Sequence, residues 1–155
     1  FGNYVAQVRI GDPGAEAISV LVGSIVVTTG FESYEPAAGE FGYGIDGVVT
    51  LPEFLRLKER SGPGDLLIQG KRVRRLAFIY CVGSRQVPAD GGPANEYCSR
   101  YCCNATVSTS LALLQDYPGL TLYHLYRDVR TYGKNELMYE DASRKGAVFV
   151  RFWPR

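Results

Sequence analysis

The second half of the sequence predicts an α/β fold, with a Rossmann-like parallel βαβαβ half. Short apolar runs that are typical of strands alternate there with amphipathic segments that are typical of helices, and Gly146 ends the second helical segment. The strands are predicted at 76–80, 120–126 and 147–152, and the helices at 105–115 and 136–145. This element order favours parallel strands joined by right-handed crossovers.

The first 30 residues have a different pattern, which predicts β structure. Apolar and polar side chains alternate as in a half-buried strand, and Gly and Pro residues mark a turn at 11–14. Strands are expected at 4–10, 17–22 and 24–28. The amino-terminal part is therefore predicted to be rich in β structure.

A single helix is predicted between these two parts, from Thr50 to about Arg60. Thr50 and Glu53 have the spacing of a capping box, and Pro52 suits the first helical turn. Gly and Pro residues at 61–64 stop the helix and mark a candidate domain boundary. We therefore predict a β-rich domain with one helix at 1–64 and a Rossmann-like segment at 65–155.

The composition is that of an ordinary globular protein. The chain has 155 residues, 46% of them hydrophobic, with 17 Lys and Arg against 16 Asp and Glu. This balance argues against a nucleic-acid binder, which would carry a basic face. No apolar run approaches the roughly 20 residues of a membrane helix, and no signal peptide is visible. We expect a cytoplasmic protein and, because the sequence begins at Phe1 without an initiator Met, a segment of a longer one.

Four cysteines form the one constellation that points to chemistry: Cys81, Cys98, Cys102 and Cys103. Cys81 ends a predicted strand, and the other three lie where the next helix begins. Ligands of open α/β sheets bind outside the carboxyl ends of the strands, so this fold would bring the four sulfurs together. Amide hydrogens at a helix start favour thiolates. Arg85 and Arg100 flank the cysteines and would offset the charge of an anionic cluster.

Three interpretations of the cysteines stay open on chemistry alone. An iron–sulfur cluster is favoured, although the spacing is not a common ferredoxin spacing. Structural zinc is the second, but adjacent ligands do not suit its paired knuckles. The third is that the cysteines are simply buried or oxidised. Adjacent side chains on a helix point roughly 100° apart, which counts against an ordinary core position for both Cys102 and Cys103. The alternative function is thus a structural or protein-interaction domain with zinc-bound or unliganded cysteines.

Other features of the sequence are weaker indications of function. The sequence at 42–47 matches G-x-G-x-x-G, but no strand precedes it and no helix follows, as a dinucleotide site requires. His124, the only histidine, is predicted to be a hydrogen-bonded core residue. Asp128, Arg130 and Lys134 follow a strand end, where they would bind an anionic cofactor or partner or form a salt-bridged turn.

The segments around the cysteines resemble the A-type component of heterodisulfide reductase. The similar segments are Phe78–Arg85, Tyr97–Cys103, Asp128–Lys134 and Val26–Phe31. Together they span nearly the whole chain, and the C-x(n)-C-x3-C-C motif is specific to that family. Val26–Phe31 is similar to the strand and turn that close the family's FAD domain.

The resemblance implies an oxidoreductase of the thioredoxin-reductase type that relays electrons between a [4Fe–4S] cluster and a flavin. It assigns the cluster to the four cysteines, FAD contacts to Thr29, Gly30 and Phe31, and a flavin-domain remnant to residues 1–64. A plain tight turn is the competing interpretation at 29–31. The family's amino-terminal glycine fingerprint for FAD is absent from this sequence, so we expect this segment alone not to be catalytic. Other subunits of an electron-transfer complex are the implied partners, together with a homodimer.

Overall fold

The structure, a computed structural model, describes residues 2–62, 64–87 and 94–153. Contacts divide the chain into two compact units, Phe1–Ser33 and Tyr34–Arg155. The predicted domain boundary after residue 64 stays a prediction, and Pro63 within it lies outside the described residues.

The first unit is built on a β-hairpin. Strands β1 (Tyr4–Val8) and β2 (Ile18–Val22) pair antiparallel, with Tyr4 opposite Val22. Two of the expected strands are confirmed, but the third, at 24–28, is wrong. Ile25, Val26 and Val27 have strand-forming side chains that are 60–80% exposed, and within the described residues no strand pairs with them. Strand propensity needs a neighbouring strand and a packing surface before it produces a strand.

The second unit contains the predicted parallel sheet. Its strands are β5 (Arg75–Ile79), β6 (Thr121–Tyr126) and β7 (Val148–Arg151), and its crossover helices are α2 (Cys102–Asp116) and α3 (Glu136–Arg144). β6 lies between β5 and β7, and both pairings are parallel. Helices α2 and α3 contact each other. The α/β fold class is confirmed.

A row of rings crosses the sheet and fixes its core. Phe78 lies opposite His124 in the register, and His124 lies opposite Phe149, with centroid separations of 5.2 and 4.3 Å. The His124 ring is fully buried, and its Nδ1 and Nε2 form hydrogen bonds with the hydroxyls of Tyr80 (2.8 Å) and Ser110 (3.0 Å). The prediction of a hydrogen-bonded core histidine is confirmed. Burial lowers the pKa of His124 to about 4.

Helix α1, in the second unit, runs over Leu51–Lys58 with Thr50 as its N-cap. The capping box is complete, since Glu53 N donates to the Thr50 hydroxyl (3.4 Å) and Thr50 N donates to the Glu53 carboxylate (2.7 Å). Phe54 is buried and meets Phe78 of β5 edge to face at 6.2 Å. The capping pattern is therefore confirmed, and α1 packs with the unit that contains the parallel sheet.

A short hairpin that the sequence analysis did not predict precedes β5. Strands β3 (Leu67–Ile68) and β4 (Lys71–Arg72) pair antiparallel through Gln69 and Gly70, both at positive φ. Residues 42–47 are the end of a short 3-10 helix (Glu40–Gly42) and the turns after it, without the strand and helix of a dinucleotide site. Across the described ranges, the helices are all too short or too polar to traverse a bilayer.

Replacement of Thr50 by Ala tests the capping box. We expect a loss of about 1 kcal/mol of unfolding free energy, because the Glu53 amide loses its acceptor and the box loses one partner. Thermal denaturation followed by circular dichroism should show a melting temperature about 3 °C lower. Ser143→Ala, on the exposed face of α3, is the matched control and should leave the midpoint nearly unchanged.

Candidate metal centre

Cys81, Cys102 and Cys103 lie at the carboxyl end of the parallel sheet. Cys81 lies two residues after the end of β5, and the other two form the first residues of α2. The Cys81 backbone is left-handed (φ 63°), which turns the chain sharply out of the strand, and its carbonyl accepts from Ser84 N at 3.3 Å. Gly83 in this turn is also at positive φ, and the Tyr34 ring occupies the space that a side chain there would need. Cys81 and Cys103 are buried, and Cys102 is half-buried.

The adjacent cysteines form a thiolate–thiol pair. A hydrogen bond from the Cys103 thiol lowers the pKa of Cys102 to about 6, and the Ser99 hydroxyl and the Cys81 backbone N–H act in the same direction. The same bond raises the pKa of Cys103, because its proton is held by Cys102. The lowered pKa of Cys102 favours its thiolate at the start of α2, where unpaired amides also favour anions.

Cys81 senses both that charge and its neighbouring arginines. Burial raises the pKa of Cys81, and the Cys102 thiolate raises it further. The charges of Arg85 and Arg127 oppose this shift. The three thiols therefore share one small electrostatic environment, as expected from the position of Cys81 at a strand end.

Cys98 is placed differently. It lies in an irregular segment before α2, and its Sγ accepts from Arg100 N at 3.4 Å. Over 2–62, 64–87 and 94–153, no group of three or more His, Cys, Asp and Glu side chains lies in an arrangement that could hold a metal ion as it stands. The structure thus brings three of the predicted sulfurs into one electrostatic environment, without metal-binding geometry.

A network centred on Asp128 lies at the same edge of the sheet. The carboxylate accepts from Arg85 Nη2 (2.7 Å) and Arg151 Nη2 (3.2 Å), and Arg130 Nη2 is 3.9 Å away. The hydrogen bond from Arg85 lowers the pKa of Asp128. Of the two interpretations of this segment, the salt-bridged turn describes Asp128 and Arg130.

Two arginines in this network were not singled out from the sequence. Arg127 follows β6 and donates through Nη1 to the Arg85 carbonyl, and Arg151 ends β7 and donates through Nε to the Arg127 carbonyl (2.9 Å). Their positions at the ends of adjacent parallel strands were the available signal, because all such ends meet at one edge of the sheet.

The donor set at this edge suits an anionic, thiolate-bound group. The pKa of one of the three thiols, Cys102, is lowered, and two guanidinium nitrogens, Arg85 Nη1 and Arg127 Nε, are buried without a hydrogen-bond partner. Buried donors without partners are costly in a native protein, so each calls for an explanation such as an absent ligand.

Comparison with known proteins shows which proteins the chain resembles. The chain is 36% identical, over 151 aligned residues, to each of two A-type iron-sulfur subunits of CoB–CoM heterodisulfide reductase from Methanopyrus kandleri. It is 35% identical to the A-type component of the H(2):CoB-CoM heterodisulfide,ferredoxin reductase of Methanothermobacter thermautotrophicus. The chain is homologous to one segment of A-type heterodisulfide reductase subunits. The resemblance predicted from the sequence is confirmed.

The match covers 92% of this chain but 22% of the length of these heterodisulfide reductase subunits. No protein-family model matches the chain. The ligand roles of the four cysteines and the FAD role of Thr29, Gly30 and Phe31 stay predictions. The 29–31 segment lies in the first compact unit, outside helices and strands, with Gly30 at a positive φ of 75°.

Proposed function

We propose that this chain is the cluster-carrying segment of an electron-transferring oxidoreductase of the heterodisulfide reductase type. It binds one [4Fe–4S] cluster through Cys81, Cys98, Cys102 and Cys103. The observation that carries the proposal is the position of three thiols at the carboxyl end of the sheet, where Cys81 follows β5 and Cys102 and Cys103 begin α2. The words "iron-sulfur" in the names of relatives support the same chemistry.

Each cysteine has a distinct part in binding. Cys102 offers a thiolate that needs no proton loss, while Cys103 gives up the proton it shares with Cys102 when both ligate iron. Cys81 lies in a left-handed turn, and the Tyr34 ring packs against Gly83 in the same turn, so the position of Cys81 is defined before binding. The bound cluster supplies reversible one-electron chemistry.

Cys98 has to reorient for four-cysteine ligation. Its Sγ is engaged by a single long hydrogen bond from Arg100 N, and it lies in a segment without helix or strand. Such a contact contributes little, so turning the thiol toward the other three costs far less than the ligand bond it makes. The cluster therefore orders this segment as it binds.

The longer protein that contains this segment adds the flavin. In it, Thr29, Gly30 and Phe31 approach FAD, and the cluster exchanges electrons with that flavin. Other subunits of the complex supply or accept the electrons. A cytoplasmic location and a homodimer belong to the same proposal.

Metal and sulfide analysis of oxygen-free protein tests the proposal. The chain, reconstituted with ferrous iron and sulfide, should hold about four irons and four sulfides and absorb near roughly 400 nm, with bleaching on reduction. Colourless protein with about one zinc per chain would instead support the structural domain, the second candidate. Among the described residues, no group of three or more His, Cys, Asp and Glu side chains is arranged to hold a metal ion, which favours the form of that candidate with unliganded cysteines. A yellow flavin spectrum would show that this segment binds FAD unaided.

A further inference from the structure

Arg85 and Arg127 leave buried donors at the thiol edge. Arg127 is only 9% exposed, yet its Nε has no hydrogen-bond partner, and the same is true of Arg85 Nη1. Both guanidinium charges act on Cys81. A buried cation with an unsatisfied N–H is unfavourable unless an anion or acceptor completes its environment.

One nitrogen of each side chain is held by a hydrogen bond within the protein. Asp128 holds Arg85 through Nη2 at 2.7 Å, and the Arg85 carbonyl accepts from Arg127 Nη1. Arg151 in turn donates to the Arg127 carbonyl at 2.9 Å. Each guanidinium is therefore held from one side by the protein. The Arg85 side chain also interacts with the Cys81 thiol by a hydrogen bond, whereas the buried Nε of Arg127 has no partner.

We propose that Arg85 and Arg127 form a cationic shell for the cluster, which donates hydrogen bonds to its sulfurs and raises its reduction potential. This inference rests on the proposed cluster. Reduction adds one electron and no proton to a group that is already anionic. Nearby buried positive charge therefore stabilises the reduced form more than the oxidised form.

A redox titration of the reconstituted protein, monitored by absorbance and electron paramagnetic resonance, tests the shell. Arg85→Gln and Arg127→Gln should each lower the ratio of reduced to oxidised cluster about tenfold at a fixed solution potential, which corresponds to about 59 mV for a one-electron couple. Arg85→Lys and Arg127→Lys keep the charge and should remain within about threefold of the wild type. Arg144→Gln is the matched control, since its side chain is 76% exposed on α3 and pairs with Glu140.

The outcomes separate this inference from the function on which it rests. A wild-type chain that takes up no iron and sulfide contradicts the proposed function itself. Full cluster content with both Gln variants at the control potential overturns the cationic shell alone. If only one Gln variant loses its cluster, the reduction potential of the other Gln variant decides the test. If both Gln variants lose the cluster but keep the native circular dichroism spectrum, and both Lys variants keep the cluster, the requirement for positive charge is supported. If the Lys variants lose the cluster as well, that requirement is contradicted.

Discussion

Cys102→Ser is expected to reduce iron content from about four per chain to less than one. Cys102 is the thiol whose pKa is lowered, and it lies at the helix start where amides stabilise negative charge. Serine keeps the shape of the side chain but offers a hydroxyl that does not ionise in this range, so the thiolate ligand is lost. Iron and sulfide assays on anaerobically reconstituted protein measure the effect.

The other three cysteines extend this experiment. Cys98→Ser should also abolish iron uptake, although Cys98 lies outside helix and strand with its Sγ accepting from Arg100 N, because the cluster needs it as the fourth ligand. Ser108→Ala, on the exposed face of α2, should leave iron content unchanged. Far-UV circular dichroism of each variant should match the wild type. Full iron content in all four single replacements would refute the ligand assignment, and loss in all except Cys98→Ser would point to a three-cysteine site.

The elements that position the site were predictable because their signals are local. The capping box at Thr50 and the alternation of apolar strands with amphipathic helices each depend on a few neighbouring residues. Helix α2 begins at Cys102 rather than at the predicted Ala105. Tyr101 is not a capping residue type, so no sequence signal marked this earlier start. The earlier start places both adjacent cysteines inside the first turn.

The site's details depend on tertiary contacts that a sequence pattern does not contain. The left-handed backbone of Cys81 is held by its surroundings, because a residue with a Cβ avoids that conformation. Arg127 and Arg151 join the Asp128 network only because parallel pairing aligns the ends of β5, β6 and β7. The apolar run at 24–28 predicts a strand, whereas a strand depends on a partner that the described residues do not supply.

The buried ring of His124 should make the protein sensitive to acid. Its pKa is about 4 in the folded state, against 6.5 for the ordinary side chain, so the unfolded chain takes up its proton first as pH falls. The stability that comes from the neutral ring is complete above about pH 6.5 and is lost progressively down to about pH 4. Since each pKa unit corresponds to about 1.4 kcal/mol, the loss amounts to about 3 kcal/mol.

His124→Gln removes this titration. At pH 7 the variant should be less stable than the wild type by about 1–3 kcal/mol, because the hydroxyls of Tyr80 and Ser110 lose well-placed partners. Urea denaturation at about pH 7 and about pH 4 should then show this deficit shrinking by about 3 kcal/mol at the lower pH. Ser110→Ala is the matched control, since it removes one hydrogen bond but leaves the imidazole in the core, and its deficit should change little with pH. If the deficit of His124→Gln stays constant across this range, the ring is not held neutral by its burial, and the acid sensitivity has to come from the carboxylates instead.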